Sequence, residues 1–325
     1  MNKIRFGVIG CGYIAKKKFI PAIKKSEEAE LIAVASRSKE KAEAYARLFN
    51  CSAENGYEAL VSRDDIDAVY IATPPATHEK IAIFSARNGK HIICEKPLAH
   101  CLKSTKNIID ESKENNIGIL EGFTYQFHSQ HKVLKNIIDK GRIGEPIFLS
   151  AQFGIPPLNK DNYRYSIESG GGALLDLGSY TVHVSRKFFN REPEKIYSIL
   201  KFEGKVDVNG AVLLDYCNGR VSSLVFGFNN YYQNNYSVWG TEGKVTLTRA
   251  FSIPAKTKPI IIIESNNSIE NIKCNMDDQF INQIKQFCNG IKDNTLIDTW
   301  RNDALNQAKT LDIIRRNSGN DYLLK

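Results

Sequence analysis

The chain has 325 residues, of which 42% are hydrophobic and 25% are charged, and it carries a formal net charge of +8 and seven cysteines. This composition excludes an integral membrane protein and a disordered chain, because no apolar run reaches the length of a spanning helix. The basic residues form no clustered stripe, so we expect anionic small molecules such as nucleotides as partners rather than nucleic acid. The cysteines are scattered and odd in number, and the chain begins directly in a strand pattern, so we expect a cytoplasmic protein. Neither a CxxC nor an HExxH motif occurs, and no metal site is predicted.

The periodicity of the sequence changes near residue 121. Before that point, helical patterns alternate with short apolar runs, at Arg5–Ile9, Leu31–Ala35, Ala68–Ala72 and His91–Cys94. This alternation predicts a Rossmann domain with a doubly wound parallel sheet over residues 1–121. Strand candidates then follow one another, with hairpin turns at Asn218-Gly219 and Glu242-Gly243, which predicts a second α/β domain over residues 122–325 with an open, mostly antiparallel sheet. Because Arg220–Phe228 is apolar on both faces, we expect this sheet to mediate self-association as a homodimer or homotetramer.

A glycine-rich turn joins the first predicted strand to the first predicted helix. Its pattern is Gly10-x-Gly12-x-x-Ala15. Gly10 permits a tight turn, Gly12 lets a pyrophosphate approach the backbone, and Ala15 is small enough for close packing of the helix on the sheet. Tyr13 and Ile14 open the helix, whose free N–H groups favour phosphate binding. These five residues predict a dinucleotide site.

The end of the second predicted strand decides which dinucleotide is preferred. An NAD site usually has an acidic residue there, whereas this chain has Ser36, Arg37 and Ser38. The guanidinium of Arg37 can clamp a 2′-phosphate, and the two serine hydroxyls can donate to it. The sequence therefore favours NADP(H) over NAD(H).

Two further motifs carry candidate catalytic groups. Glu95-Lys96-Pro97 follows the fifth strand, which places Lys96 at the carboxyl edge of the sheet, where ligands bind in open α/β folds. Further on, Gly170–Gly172 precedes a predicted helix in which Asp176, Tyr180 and His183 share one face. The glycine run is expected to let another molecule come close to these three side chains.

Taken in order, these motifs resemble the glucose–fructose oxidoreductase / inositol dehydrogenase / rhizopine catabolism family over nearly the whole chain. The resemblance implies a Rossmann domain followed by an oligomerising sheet domain, with Lys96 as the active-site lysine and with Thr73, Pro74, His78 and Glu95 near the cofactor. Tyr180 stands where the inositol dehydrogenase branch has histidine, so the chain is more similar to the branch that includes nucleotide-sugar 3-ketoreductases. In that branch Arg164 corresponds to an arginine close to the cofactor.

These assignments predict an NADP(H)-dependent oxidoreductase that transfers hydride to or from a sugar carbonyl. Reduction of a keto group on a nucleotide-linked deoxysugar is the leading case. Negative charge that builds on the carbonyl oxygen would be stabilised by Lys96 and neutralised by a proton from Tyr180, with His183 as the competing donor and Asp176 in an orienting role. An aldose or dihydrodiol dehydrogenase and a non-catalytic cofactor-sensing regulator on the same fold remain alternatives.

Overall fold

The computed structural model of the protein describes residues 2–265 and 268–318. It forms two compact units, the first made of the chain up to Phe123 together with Phe280–Ala308, and the second made of Thr124–Gln279 together with the chain from Lys309. The predicted boundary at residues 121 and 122 lies next to the first of these divisions. The segment Phe280–Ala308, however, packs with the first unit, although the sequence analysis placed it in the second domain. A helical pattern shows which face of a helix is apolar but not which unit that face packs against.

The elements have the following bounds. The strands are β1 (Ile4–Ile9), β2 (Ala29–Ser36), β3 (Ser52–Asn55), β4 (Ala68–Ile71), β5 (His91–Cys94), β6 (Ile119–Glu121), β7 (Pro146–Gly154), β8 (Lys195–Glu203), β9 (Val206–Asp215), β10 (Val221–Gly227), β11 (Gln233–Gly240), β12 (Gly243–Leu247), β13 (Ile260–Ser265) and β14 (Ser268–Lys273). The helices are α1 (Ile20–Ile23), α2 (Lys39–Phe49), α3 (Tyr57–Val61), α4 (His78–Arg87), α5 (Leu102–Glu114), α6 (Gln130–Asp139), α7 (Ser179–Phe189), α8 (Gln279–Asp293) and α9 (Ile297–Asn317). Two π-helical turns, Ala15–Phe19 and Leu174–Gly178, lead directly into α1 and α7.

The first unit contains a parallel sheet in the order β3-β2-β1-β4-β5-β6. This is the doubly wound order that the alternating pattern predicted, and the prediction is confirmed. Strand β4 is completely buried, as expected for a sheet with helices on both faces. Successive strands are added on one side of β1 up to β3 and on its other side from β4 onward, so a topological switch point lies between β1 and β4. In open α/β sheets, ligands bind at the carboxyl ends of the strands at such a switch point.

The C-terminal helices complete the core of the first unit. The ring of Phe287 on α8 lies 5.9 Å from that of Phe6 on β1 and 5.6 Å from that of Trp300 on α9. The guanidinium of Arg301 donates to the backbone oxygens of Ser112 and Ile117 at 2.7 and 2.8 Å. Residues distant in sequence therefore form one hydrophobic core and satisfy the buried carbonyls beside it.

The second unit is built on a sheet in the order β14-β13-β12-β11-β7-β10-β9-β8. Strands β7 and β10 pair in parallel, and the other neighbours pair antiparallel. Leu224 and Phe226 of β10 are buried, while Val225 between them is exposed. This strand therefore has apolar residues on both faces, as the sequence predicted. Within the described ranges, no helix is both long and apolar enough to cross a bilayer.

Candidate active site

The glycine loop lies at the switch point of the parallel sheet. Gly10 has a φ of +101°, and a Cβ there would lie 2.8 Å from the carbonyl oxygen of Ala72, so the position accepts only glycine. At Gly12 a Cβ would meet nothing closer than 3.9 Å, which leaves this backbone open to a ligand. The hydroxyl of Tyr45 on α2 donates to the Gly12 carbonyl at 3.2 Å and fixes the turn. Tyr13 is exposed and Ala15 is buried. The loop has the form expected for pyrophosphate binding.

The segment after β2 holds Arg37 at the surface between two serines. The hydroxyl of Ser36 accepts from the Ser38 N–H at 3.2 Å, and the hydroxyl of Ser38 caps α2 and donates to Glu40 at 2.7 Å. The Ser38 hydroxyl thus donates within the local turn rather than to a phosphate, whereas the Ser36 hydroxyl only accepts there, and its donation to a phosphate stays a prediction. Burial raises the pKa of Tyr57, and the positive charge of the nearby Arg37 partly offsets this rise. Because Arg37 is an exposed cation, it is the group of this segment best suited to bind a 2′-phosphate.

His78 joins two loops at the carboxyl edge of the sheet. Its Nε2 lies 2.8 Å from the Thr73 carbonyl oxygen and its Nδ1 lies 3.1 Å from the Pro97 carbonyl oxygen. Burial lowers the pKa of His78, and its side chain has no exposed surface. Thr73 and Pro74 are half-buried. His78 thus positions the loops around it, and its place along the cofactor, which the resemblance implied, stays a prediction.

Lys96 is half-buried and follows β5 directly, on a loop whose neighbouring residues are held by hydrogen bonds. The preceding residue, Glu95, accepts a hydrogen bond from the phenol of Tyr70, whose ring is stacked on Phe19 at 3.5 Å. Beyond the cis Lys96–Pro97 bond, the Leu98 N–H donates to the buried Glu121 carboxylate at 2.8 Å. The loop backbone on both sides of the lysine is therefore held in one conformation.

The glycine run before α7 makes room for this chain's own backbone, and the expectation that it admits another molecule is wrong. A Cβ on Gly171 would lie 2.4 Å from the Arg164 carbonyl oxygen, and one on Gly172 would lie 2.4 Å from Asp207 Oδ1. The Asp207 carboxylate is buried, which raises its pKa, and it accepts from the Leu174 N–H at 2.5 Å. It therefore caps the helical segment that carries the candidate catalytic residues.

Arg164 and Asp176 form an ion pair in the second unit. The Nε atom of Arg164 lies 2.5 Å from Asp176 Oδ2. Burial lowers the pKa of Arg164, but the charges of Asp176 and the nearby tyrosines outweigh it and raise this pKa. One of those tyrosines is Tyr180. The arginine that was assigned to the cofactor from resemblance is thus anchored on a candidate catalytic carboxylate.

Tyr180 and His183 differ in their surroundings. Tyr180 is half-buried, and its ring packs 5.3 Å from Phe153, 5.6 Å from Phe251 and 5.9 Å from Tyr125. His183 is buried, and its Nδ1 lies 2.7 Å from the Tyr125 hydroxyl. The π-helical turn over Leu174–Gly178 alters the helical spacing on which the predicted common face of Asp176, Tyr180 and His183 depended. Of the two candidate proton donors, only Tyr180 keeps part of its side chain accessible.

Tyr125 was missed by the sequence analysis although it touches both of these residues. It lies in a short apolar stretch after β6 that has the pattern of a connecting loop. The sequence therefore gives only a weak indication that this residue belongs to the site. The described residues contain no group of three or more His, Cys, Asp or Glu side chains arranged to hold a metal ion.

A doubly wound sheet with a glycine loop at its switch point and a lysine at its carboxyl edge defines the class of dinucleotide-dependent oxidoreductases. Residues 4–123 match the family described as "Oxidoreductase family, NAD-binding Rossmann fold", and residues 131–246 match the "GFO/IDH/MocA C-terminal domain". The chain therefore belongs to the Gfo/Idh/MocA oxidoreductase family, and the resemblance found in the sequence is confirmed.

Relatives within the family are similar over nearly the full length. The chain is 35% identical over 298 residues to dTDP-3,4-didehydro-2,6-dideoxy-alpha-D-glucose 3-reductase of Saccharopolyspora spinosa, which covers 91% of this chain and 90% of that protein. It is 33% identical over 323 residues to the protein of the same name from Actinomadura kijaniata, covering 99% and 97%. The crystal structure of KijD10, a 3-ketoreductase from Actinomadura kijaniata in complex with NADP and TDP-benzene, has a TM-score of 0.93 with this chain at 33% identity, covering 97% and 98%.

Proposed function

We propose that this protein uses NADPH to reduce the 3-keto group of a nucleotide-linked deoxysugar, since its relatives are named as 3-reductases of a dTDP-linked deoxysugar and the KijD10 structure holds NADP. The observation that carries the proposal is the similarity to 3-reductases over more than nine-tenths of the chain. The residues present fit the cofactor: Gly12 leaves the backbone open for the pyrophosphate, and Arg37 supplies a cation where NAD-preferring sites have an acid. NADPH, when bound, supplies the hydride.

Lys96 and Tyr180 are the residues to which we assign the chemistry. Negative charge develops on the carbonyl oxygen as the carbon is reduced, and the ammonium of Lys96 stabilises that charge more in the transition state than in the ground state. The phenol of Tyr180 donates the proton that converts the oxygen into a hydroxyl. The phenolate left behind is stabilised by Arg164, whose charge interacts with Tyr180.

Asp176 has an orienting role in this proposal. Its carboxylate is paired with Arg164 at 2.5 Å, so it holds the guanidinium in place. His183 is assigned to positioning, because its ring is buried against Tyr125. The burial of His183 therefore favours Tyr180 as the proton donor.

We further propose that the protein assembles through the outer face of the sheet in the second unit. Exposed apolar side chains follow one another across neighbouring strands, since Ile199 and Val225 are both cross-strand partners of Ala211. Tyr197 and Leu213 form the next pair on the same face and are also exposed. An Ile199→Glu variant should lower the mass measured by light scattering, whereas an unchanged mass would exclude this face. The seven free cysteines suit the cytoplasmic location that we propose.

The function is tested by following NADPH oxidation with a panel of carbonyl compounds. The panel contains a dTDP-linked 3-keto-deoxysugar, the corresponding free sugar and, in the oxidative direction with NADP+, an aldose and a dihydrodiol. Turnover of the nucleotide-linked sugar at the highest kcat/KM supports the proposal. Preference for the aldose or the dihydrodiol would replace it, and binding of NADPH without turnover of any compound would favour the regulatory alternative.

A further inference from the structure

A pocket of about 690 Å³ lies between α6 and α7, and all of its lining residues belong to the second unit. Leu134 and Ile138 of α6 line one side of it, and Val184 and Phe188 of α7 line another. We call it the α6–α7 pocket. Sites for small molecules in proteins typically have a volume of this order.

The α6–α7 pocket is separate from the candidate active site. It follows the second half of α7 to Phe189, whereas Tyr180 lies in the first turn of that helix. At about 1.5 Å of rise per residue, these two residues are roughly 13 Å apart along the helix axis. Tyr180 packs on Phe153 near the end of β7, whereas Pro146 at the start of β7 lines the pocket. Tyr125 lines the pocket and also lies 5.9 Å from the ring of Tyr180, so it forms part of the wall between them.

The inner wall of the pocket is aromatic and uncharged. Tyr125 and Tyr236 are each 2% exposed, and their hydroxyls lie 2.7 Å from His183 Nδ1 and 2.9 Å from His131 Nδ1. The ring of His131 is stacked on that of Tyr236, with 5.9 Å between the ring centres. Burial lowers the pKa of His131 to about 3, so its imidazole carries no charge at neutral pH. Because both tyrosine hydroxyls are already hydrogen-bonded inside the protein, this wall suits the ring system of a ligand.

The outer part of the pocket is cationic. Three of the lining residues are basic, namely Lys135 of α6, Lys187 of α7 and Arg220 before β10, and one, Asp139, is acidic. The side chains of Lys135 and Arg220 are 74% and 40% exposed, and Lys187 is also exposed. Lys135 is paired with Asp139 at 2.6 Å, and Arg220 with the exposed Glu145 at 3.1 Å. Exposed ion pairs of this kind are weak, so an anion at this end of the pocket can compete for both cations.

We infer that the α6–α7 pocket binds a small aromatic carboxylate. The ring system packs against Tyr125 and Tyr236 at the buried end, since aromatic rings favour offset or edge-to-face contacts with one another. The carboxylate lies at the exposed end, near Lys135, Lys187 and Arg220, where it stays in contact with water. This inference does not depend on the proposed function, because the reduction assigned to Lys96 and Tyr180 takes place outside this pocket.

The first test varies the charge of the ligand and of the pocket. Binding of 2-naphthoate to the full chain is measured by titration calorimetry, with NADP+ present to occupy the dinucleotide site. The neutral 2-naphthamide, which has the same rings, should bind more weakly. Lys135→Gln should weaken 2-naphthoate binding about twofold to fivefold, and Asp139→Asn should strengthen it by a similar factor, as expected for exposed charges. Lys273→Gln, at an exposed position on β14, is the matched control and should leave the affinity unchanged.

The second test fills the pocket. Ile138 is half-buried, and Ile138→Trp should weaken 2-naphthoate binding at least about tenfold because the larger side chain takes the space of the ligand rings, whereas Ile138→Ala should still bind. Thermal unfolding shows whether the tryptophan variant is folded. If it is not, the Lys135 and Asp139 variants decide the outcome.

Each contrary result overturns a stated part of the inference. A folded Ile138→Trp variant that binds 2-naphthoate as well as the unchanged protein would show that the ligand binds elsewhere. Equal affinity for 2-naphthoate and 2-naphthamide would exclude an anionic ligand. Binding of laurate without binding of 2-naphthoate would replace the aromatic acid by an aliphatic one, and binding of none of the three would exclude the site. Turnover of the keto sugar is measured separately, so failure of this inference leaves the proposed function standing.

Discussion

Removing the Tyr180 hydroxyl is the most direct test of the proposed chemistry. In a Tyr180→Phe variant the ring contacts with Phe153, Phe251 and Tyr125, at 5.3–5.9 Å, can all be kept. The free energy of unfolding should therefore change by no more than about 1.5 kcal/mol, the net value of one hydrogen bond. Turnover should fall about 10²- to 10⁴-fold, because a general acid in the transition state contributes that much, or about 3–5 kcal/mol of activation free energy.

The assay follows NADPH oxidation with the nucleotide-linked keto sugar, and cofactor affinity is measured separately by fluorescence titration. Tyr125→Phe is the matched control, because it removes the same atom from the adjacent ring, breaks the 2.7 Å bond to His183 and should leave kcat within about threefold. A Tyr180→Phe variant with near-normal turnover, together with a slow Tyr125→Phe variant, would refute the reasoning. The proton would then come from the Tyr125–His183 pair.

Three further predictions concern cofactor choice, packing and pH. Replacing Ser36 by Asp and Arg37 by Ile should reverse the ratio of kcat/KM for NADPH and NADH, and NADPH use that is unaffected would contradict the assignment. Gly172→Ala should lower the free energy of unfolding, measured in urea, by at least about 2 kcal/mol, because it strains a φ of +117° and crowds Asp207. The control variant Gly204→Ala, at a φ of +61° with open space around it, should lower it by only about 1 kcal/mol. Equal losses of unfolding free energy in the two variants would refute the crowding. Burial lowers the pKa of His131 to about 3 from 6.5, so the unfolded chain binds more protons between these values and stability should fall as pH drops from about 6.5 toward 3. His131→Gln should flatten that dependence in urea unfolding at several pH values, and an unchanged slope would assign it to other groups.

The sequence predicted the parallel sheet and its cofactor loop because both depend on short-range patterns. Gly10 is required by the φ of +101° in the turn after β1, a local demand that its spacing from Gly12 and Ala15 indicates, although the Ala72 carbonyl that also crowds it comes from the end of β4. The glycine run at Gly170–Gly172 was recognised but misinterpreted, because the groups that crowd it, Arg164 and Asp207, are brought there by the tertiary fold.

The relation of Asp176, Tyr180 and His183 could not be predicted for a different reason. Ideal helical spacing places them on one face, but a π-helical turn is not encoded by any simple pattern of apolar residues. The burial of His183 could not be predicted either. Its sequence has the pattern of an amphipathic helix, yet its ring is buried beside Tyr125.

The return of the C-terminal helices to the first unit bears on how the protein is made. Phe6 lies in the first strand, whereas Phe287, which packs on it, and Trp300, which packs on Phe287, come much later in the sequence. While the polypeptide emerges from the ribosome, part of the core of the first unit therefore stays uncovered until α8 and α9 have been synthesised. A fragment that stops at residue 123 should consequently aggregate or recruit chaperones rather than fold, and co-expressing Phe280–Ala308 in trans should increase its yield.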